Sequence, residues 1–150
     1  MKDNVRFFEV VDTCDAFVDA VNRLLKQLSS TPVVFTKDTL AGIVESTSSH
    51  MFFAECDGRI VGMLTLGEYL APTGRKMWIE DVVVDEAARG RSIGRALVEH
   101  AIAYSRSLGN GVLMLTSRPS RVAANNLYRS CGFQPKETNM YRMPLKEECN

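Results

Sequence analysis

Between Lys76 and Thr116 the chain reads strand, turn, helix, strand, and this stretch constrains the fold more than any other. Lys76 to Asp85 is a strand holding the run Val82-Val83-Val84. Arg91 to Leu108 places Ile93, Leu97, Ala101, Tyr104 and Leu108 on one helical stripe, and Gly109 stops it. Gly111 to Thr116 is an apolar strand again. A helical crossover joins parallel strands, and parallel strands need cover on both faces.

Upstream the pattern is different. Val5 to Val10 has strand character. Asp12 or Thr13 is placed to cap a helix with Phe17, Val18, Val21, Leu24, Leu25 and Leu28 at helical spacing, broken by Ser29-Ser30-Thr31-Pro32. Thr36 to Ser46 reads as a weaker helix. Met51 to Cys56 and Arg59 to Leu66 read as strands joined at Asp57-Gly58, a pair suited to a turn with positive φ at both residues. Ala71 to Arg75 is a second turn. Downstream, Ser120 caps a helix to Ser130, Gly132 ends it, and Tyr141 to Leu145 closes as a last strand. The expected fold is one mixed α/β sheet with helices on both faces.

The 150 residues suit a single domain over 1–150, and 45% hydrophobic content excludes global disorder. Eighteen basic against 18 acidic residues argue against nucleic acid as the partner. No apolar run approaches the ~20 residues of a membrane span, so no membrane partner is expected. Charges within Val5 to Val10 argue against a secretory signal. Cys14, Cys56, Cys131 and Cys149 lie far apart, and the histidines are His50 and His100. No metal site is expected, and scattered thiols suit a cytoplasmic protein.

The turn from Arg89 through Gly90, Arg91, Ser92, Ile93 and Gly94 to Arg95 follows a strand and opens a helix. Free backbone N–H groups and the positive end of the helix dipole make such a turn an anion site. Gly90 and Gly94 permit close approach, and the three arginines offer charge-assisted bonds. The same residues also suit a solvated helix face with glycine punctuation. The spacing is neither a P-loop nor a three-glycine dinucleotide fingerprint.

With its neighbours the turn resembles motif A of the general-control-type N-acetyltransferase (GNAT) superfamily. That motif is Arg/Gln-x-x-Gly-x-Gly/Ala after a Val-rich strand, here Arg89-x-x-Ser92-x-Gly94. Ala124, Leu127, Tyr128, Gly132 and Phe133 resemble the family's motif B, Ala-x-x-Leu-Tyr-x-x-x-Gly-Phe. The element order is similar over nearly the whole chain. The resemblance implies a sheet of six to seven strands with a splayed parallel pair. It implies acetyl-CoA as co-substrate, its pantetheine arm paired with the backbone of Val82, Val83 and Val84. Its pyrophosphate would lie on the amides from Arg89 to Arg95. Ser92 departs from the family's Gly, with a hydroxyl that suits a phosphate. Arg121 stands where many members carry a CoA-contacting Asn, and suits either the cofactor or water.

Acetyl transfer to an amine needs a neutral amine, a donor for the developing oxyanion and a proton for the departing thiolate. The resemblance makes Tyr128 the acid, although its place on an amphipathic helix also suits a core tyrosine. Glu80 is the base candidate; strand alternation places it on the face of Trp78 and Val82, opposite Asp81. A water chain to bulk is the rival. The family transfers the acetyl group directly, so the cysteines are expected in packing roles. Acceptor choice falls to the first helices and to Ser29–Phe35, Leu70–Arg75 and Gln134–Tyr141. Glu55, Glu68 and Asp81 are candidates to attract a cationic amine, and Phe35, Tyr69, Trp78 and Tyr141 to line its pocket. Tyr141-Arg142-Met143 suits a core or a homodimer interface. The alternative to an N-acetyltransferase is a catalytically silent CoA-binding sensor.

Overall fold

The computed structural model describes residues 4–31 and 33–146; Pro32 and Cys149 lie outside them. Five strands form one sheet in chain order: β1 (Val5–Glu9), β2 (Ser49–Cys56), β3 (Arg59–Ala71), β4 (Gly74–Val84) and β5 (Val112–Met114). The first three pairings are antiparallel and β4–β5 is parallel. Asp57 and Gly58 take φ of +49° and +81°, the left-handed turn their sequence implies. The second hairpin is longer than the sequence suggests, with β3 running to Ala71 and β4 starting at Gly74.

Strand alternation sorts the core into two layers. Met51 and Phe53 of β2 face α1 (Asp15–Leu28) and α2 (Lys37–Glu45), meeting Val21, Leu24 and Leu40. Phe52 and Ala54 face α3 (Ile93–Ser107) and α4 (Val122–Ser130), meeting Leu97, Val98 and Ala101. Helices therefore cover both faces, as parallel pairing requires. The α1–α2 loop is pinned by Asn22, whose amide donates to the Phe35 carbonyl and accepts from its N–H, both at 2.9 Å.

Two features of β4 position the site. Met63 pairs with Val83 and Thr65 with Glu80, so two steps on β3 span three on β4. This bulge carries Asp81 at φ +52°. The parallel pairing of β4 with β5 covers Lys76–Val112, Met77–Leu113 and Trp78–Met114. Beyond it the strands part. Gly111 permits the close entry of β5, since a Cβ there would lie 2.8 Å from the Arg75 carbonyl oxygen.

Four expectations are corrected. Among the described residues the sheet has five strands, not six to seven. Tyr141 to Leu145 forms no strand; Tyr141, Met143 and Leu145 are 88%, 81% and 90% exposed, and Pro144 lacks the N–H a ladder needs. Helix caps also shift: Cys14 precedes α1 and Arg121 precedes α4, neither with a side-chain cap bond, whereas Thr36 Oγ1 does accept from Thr39 N–H at 3.2 Å. Glu80 and Val82 do not share a face. Val82 packs on the same layer as Ile79, three residues before it, because the bulge shifts the alternation.

Candidate active site

Where β4 and β5 part, a cleft of about 770 Å³ opens. One side is the edge of Val82, Val83 and Val84; another is the turn and first residues of α3, with Arg89, Gly90, Ser92, Ile93, Gly94 and Arg95. The far wall is Arg121, Val122 and the inner face of α4, including Leu127 and Tyr128. The turn passes through a 3₁₀ segment, Glu86–Ala88, and reverses at Gly90 with φ +79°.

Ser92 is the residue before α3 and sits at φ +59°, ψ 21°, in the left-handed region. Its side chain makes no cap bond. The first-turn amides of a helix have no intrahelical acceptor, so those of α3 keep their donors for a ligand. A positive φ explains why the motif favours Gly at this position. Gly94 has no such backbone requirement; a Cβ there would make an ordinary contact with Val84 Cγ2 at 3.4 Å and take up space at the cleft floor.

The three arginines of the turn have different partners. Arg89 Nε donates to the Val84 carbonyl at 3.3 Å, bent toward the strand edge. Arg95 donates to Glu99 at 2.9 Å and to Ser130 Oγ at 2.6 Å, joining α3 to α4. Arg91 turns out of the cleft lining and donates to Cys56 Sγ at 3.1 Å.

Tyr128 is buried, 9% exposed, with its ring edge-on to Phe133. Burial pushes its phenol above the ordinary value, against the pull of the Arg121 guanidinium. It is therefore a protonated donor at neutral pH. Glu80 lies outside the lining, on the exposed stretch beside Asp81. Partial burial and then the Asp81 charge raise its carboxyl above the ordinary value.

The cleft thus gathers Val82, Val83, Val84, Arg89, Gly90, Ser92, Ile93, Gly94, Arg95, Arg121 and Tyr128, and leaves out Arg91 and Glu80. Two of the three acidic acceptor candidates are already engaged, Glu55 with Arg6 at 3.1 Å and Glu68 with Arg75 at 3.0 Å, while Asp81 is exposed on the bulge. Phe35 is buried in the α1–α2 layer, while Tyr69 is exposed. Sequence reasoning missed Gln27, Asn126 and Ser130, which also line the cleft. Gln27 carries no motif signal; it reads as the polar face of α1. Among the described residues, no three His, Cys, Asp or Glu side chains stand together as a metal site, and no helix is long and apolar enough to cross a membrane.

The cleft combines a strand edge without a parallel partner, uncapped helix amides suited to an anion and a buried phenol.

Comparison with known proteins agrees. The profile described as Acetyltransferase (GNAT) family matches residues 18–133. Glucosamine 6-phosphate N-acetyltransferase 1 of Oryza sativa subsp. japonica is 28% identical over 146 residues, covering 91% of this chain and 84% of that protein. A solved putative acetyltransferase from Agrobacterium tumefaciens str. C58 is 25% identical with a TM-score of 0.81, covering 93% of this chain and 99% of that one. An aminoglycoside N-acetyltransferase in complex with CoA shares the fold at 16% identity and a TM-score of 0.76, covering 96% and 97% of the two chains.

Proposed function

The chain belongs to the acetyltransferase (GNAT) family, enzymes that use acetyl-CoA, and we propose that it moves the acetyl group directly to a primary amine with Tyr128 as the acid. The parting of β4 from β5 beside Tyr128 carries this reading. Val82 to Val84 lose their parallel partner there, so their backbone edge is available to the pantetheine amides. Ser92, Ile93, Gly94 and Arg95 present amides, and Arg89 and Arg121 positive charge, to the phosphates. Acetyl-CoA supplies the activated acyl carbon and a thiolate leaving group.

The amine arrives as an ammonium with a pKa near ~10 and must lose a proton first. Glu80, with its raised carboxyl, accepts that proton through water. Alternation with Ile79 puts Glu80 on the α1–α2 side of the sheet, and Tyr128 works from the α3–α4 side. The open seam lets the two sides meet. The N–C bond forms and the C–S bond breaks. Tyr128 protonates the sulfur and is restored by the second N–H proton, so one proton is released overall. No covalent enzyme intermediate is needed. Arg91, engaged with Cys56, supports the turn from behind.

The acceptor is a small molecule or a peptide amine. The relatives are named for glucosamine 6-phosphate and aminoglycosides, so amino sugars lead the panel. We also propose a homodimer. Tyr141, Met143 and Leu145 alternate as exposed apolar residues, and β5 ends the sheet. A second copy is a natural cover for both. Sedimentation as a monomer at micromolar concentration removes that part.

The test is calorimetry with acetyl-CoA together with thiol release over amino sugars, aminoglycosides, polyamines and peptides. Binding with release on one amine class supports the enzyme and names its acceptor. Binding without release on any class leaves a CoA sensor. No binding overturns the reading.

A further inference from the structure

We infer that Arg23 and Gln27 of α1 are positioning residues that hold the phosphate turn through Asp85. This rests on the acetyl-CoA reading of the cleft. The two residues lie one helical turn apart and share a face. Arg23 Nη1 donates to Asp85 Oδ2 at 2.7 Å, and Nη2 donates to the Ile60 carbonyl at 2.6 Å. One guanidinium therefore ties α1 to β3 and to the residue that follows β4. Gln27 Nε2 reaches Asp85 Oδ1 at 3.4 Å, and Gln27 Oε1 accepts the Glu86 N–H at 2.8 Å.

Asp85 is the centre of this clamp. It is 6% exposed, it accepts the Ala87 N–H at 3.1 Å, and its own N–H donates to the Val61 carbonyl at 2.7 Å. The Arg59 guanidinium adds a second cation at 3.6 Å. Residues 85, 86 and 87 are each fixed, and the turn from Ala88 to Ser92 extends from that anchor. Among the described residues lining the cleft, Gln27 is the one contributed by α1.

A pyrophosphate gripped by several amides needs all of them at once in one arrangement. An unanchored turn would have to be ordered on binding, at a cost in affinity. The clamp supplies that order beforehand. It acts on the phosphate end of the cofactor and leaves Tyr128 and the seam untouched.

The experiment compares wild type, Gln27→Ala and Gln27→Met, with calorimetry for CoA, an NMR titration for pantetheine, and steady-state kinetics. All runs are made well below the unfolding temperature. Both variants are expected to raise the CoA Kd and the acetyl-CoA KM about 3- to 10-fold, with kcat changed less than twofold and pantetheine binding unchanged. Pantetheine lacks the pyrophosphate, so it reports general damage to the cleft. Equal weakening for pantetheine, or Gln27→Met with wild-type CoA affinity, overturns the clamp. A wild type that does not bind CoA overturns the acetyl-CoA reading, and the inference with it.

Discussion

Arg95 Nη1 donates to Ser130 Oγ at 2.6 Å, and Nη2 reaches the Ser130 carbonyl at 3.3 Å. This ties the first turn of α3 to the last turn of α4 across the cleft. Arg95→Ala is expected to raise the CoA Kd about tenfold, the loss of one charge-assisted contact. Ser130→Ala keeps the carbonyl acceptor and should cost about two- to threefold. Calorimetry decides; two variants with wild-type affinity would separate the tie from the cofactor.

Ser92 pays for its left-handed backbone with about 1–2 kcal/mol. Ser92→Gly relieves that strain, against about 0.4–1 kcal/mol for the greater freedom of an unfolded glycine. The net expectation is a rise in Tm of about 2 °C. Ser92→Ala keeps the strain and removes the hydroxyl. Should Ala and Gly weaken CoA binding equally, the hydroxyl holds a phosphate; a lower Tm for Gly would contradict the strain argument.

Tyr128→Phe keeps the packing on Phe133 and removes the proton. Turnover should fall about 10²-fold with CoA affinity within twofold. Burial raises this phenol, so it stays protonated to higher pH than an ordinary tyrosine. Its limb in kcat against pH should fall above the ordinary value of about 10, and the Phe variant should lack it. An unaffected rate, where chemistry is limiting, would remove Tyr128 from the acid role.

Glu80 must be ionised to act as a base, and its carboxyl is raised above 4.5. Activity should therefore decline on the acid side at a higher pH than an ordinary glutamate would give. Asp81→Asn removes a neighbouring negative charge and should move that limb to lower pH. Glu80→Gln should abolish it. A limb unmoved by Glu80→Gln assigns the proton to water.

Burial alone would raise Asp85, but the Ala87 N–H, the Gln27 amide and the Arg23 and Arg59 guanidiniums outweigh it and hold the carboxyl below its ordinary range. A lowered folded pKa means stability that is present above the unfolded value of about 3.9 and lost as pH falls through the folded one. Asp85→Asn should cost about 1–3 kcal/mol at pH 7 and much less at pH 2. Urea unfolding at both pH values measures the difference; an equal cost at both would assign it to shape.

Much of this molecule was legible before folding because its signals are local. Asp57-Gly58 marks a turn by backbone sterics, and the stripe from Ile93 to Leu108 marks α3 by period alone. The turn from Arg89 to Arg95 was legible for the same reason: strand, glycine and helix start are contiguous. Ser92 even forecast its own difficulty, since it stands where glycine is preferred and takes positive φ.

Three things were settled by tertiary structure. The bulge at Asp81 moved Val82 onto the face of Ile79, and strand alternation cannot reveal a residue inserted by pairing with β3. Tyr141 to Leu145 alternates like a strand but forms no ladder, because pairing needs a neighbouring edge as well as a pattern. Gln27 reached the cleft, and Arg23 reached Asp85, across more than fifty residues of sequence. The sequence by itself determined the local conformations and the order of elements, which depend on backbone sterics and side-chain period. Which faces meet, which edges stay open and which distant side chains hold the turn depended on packing between elements far apart in the chain.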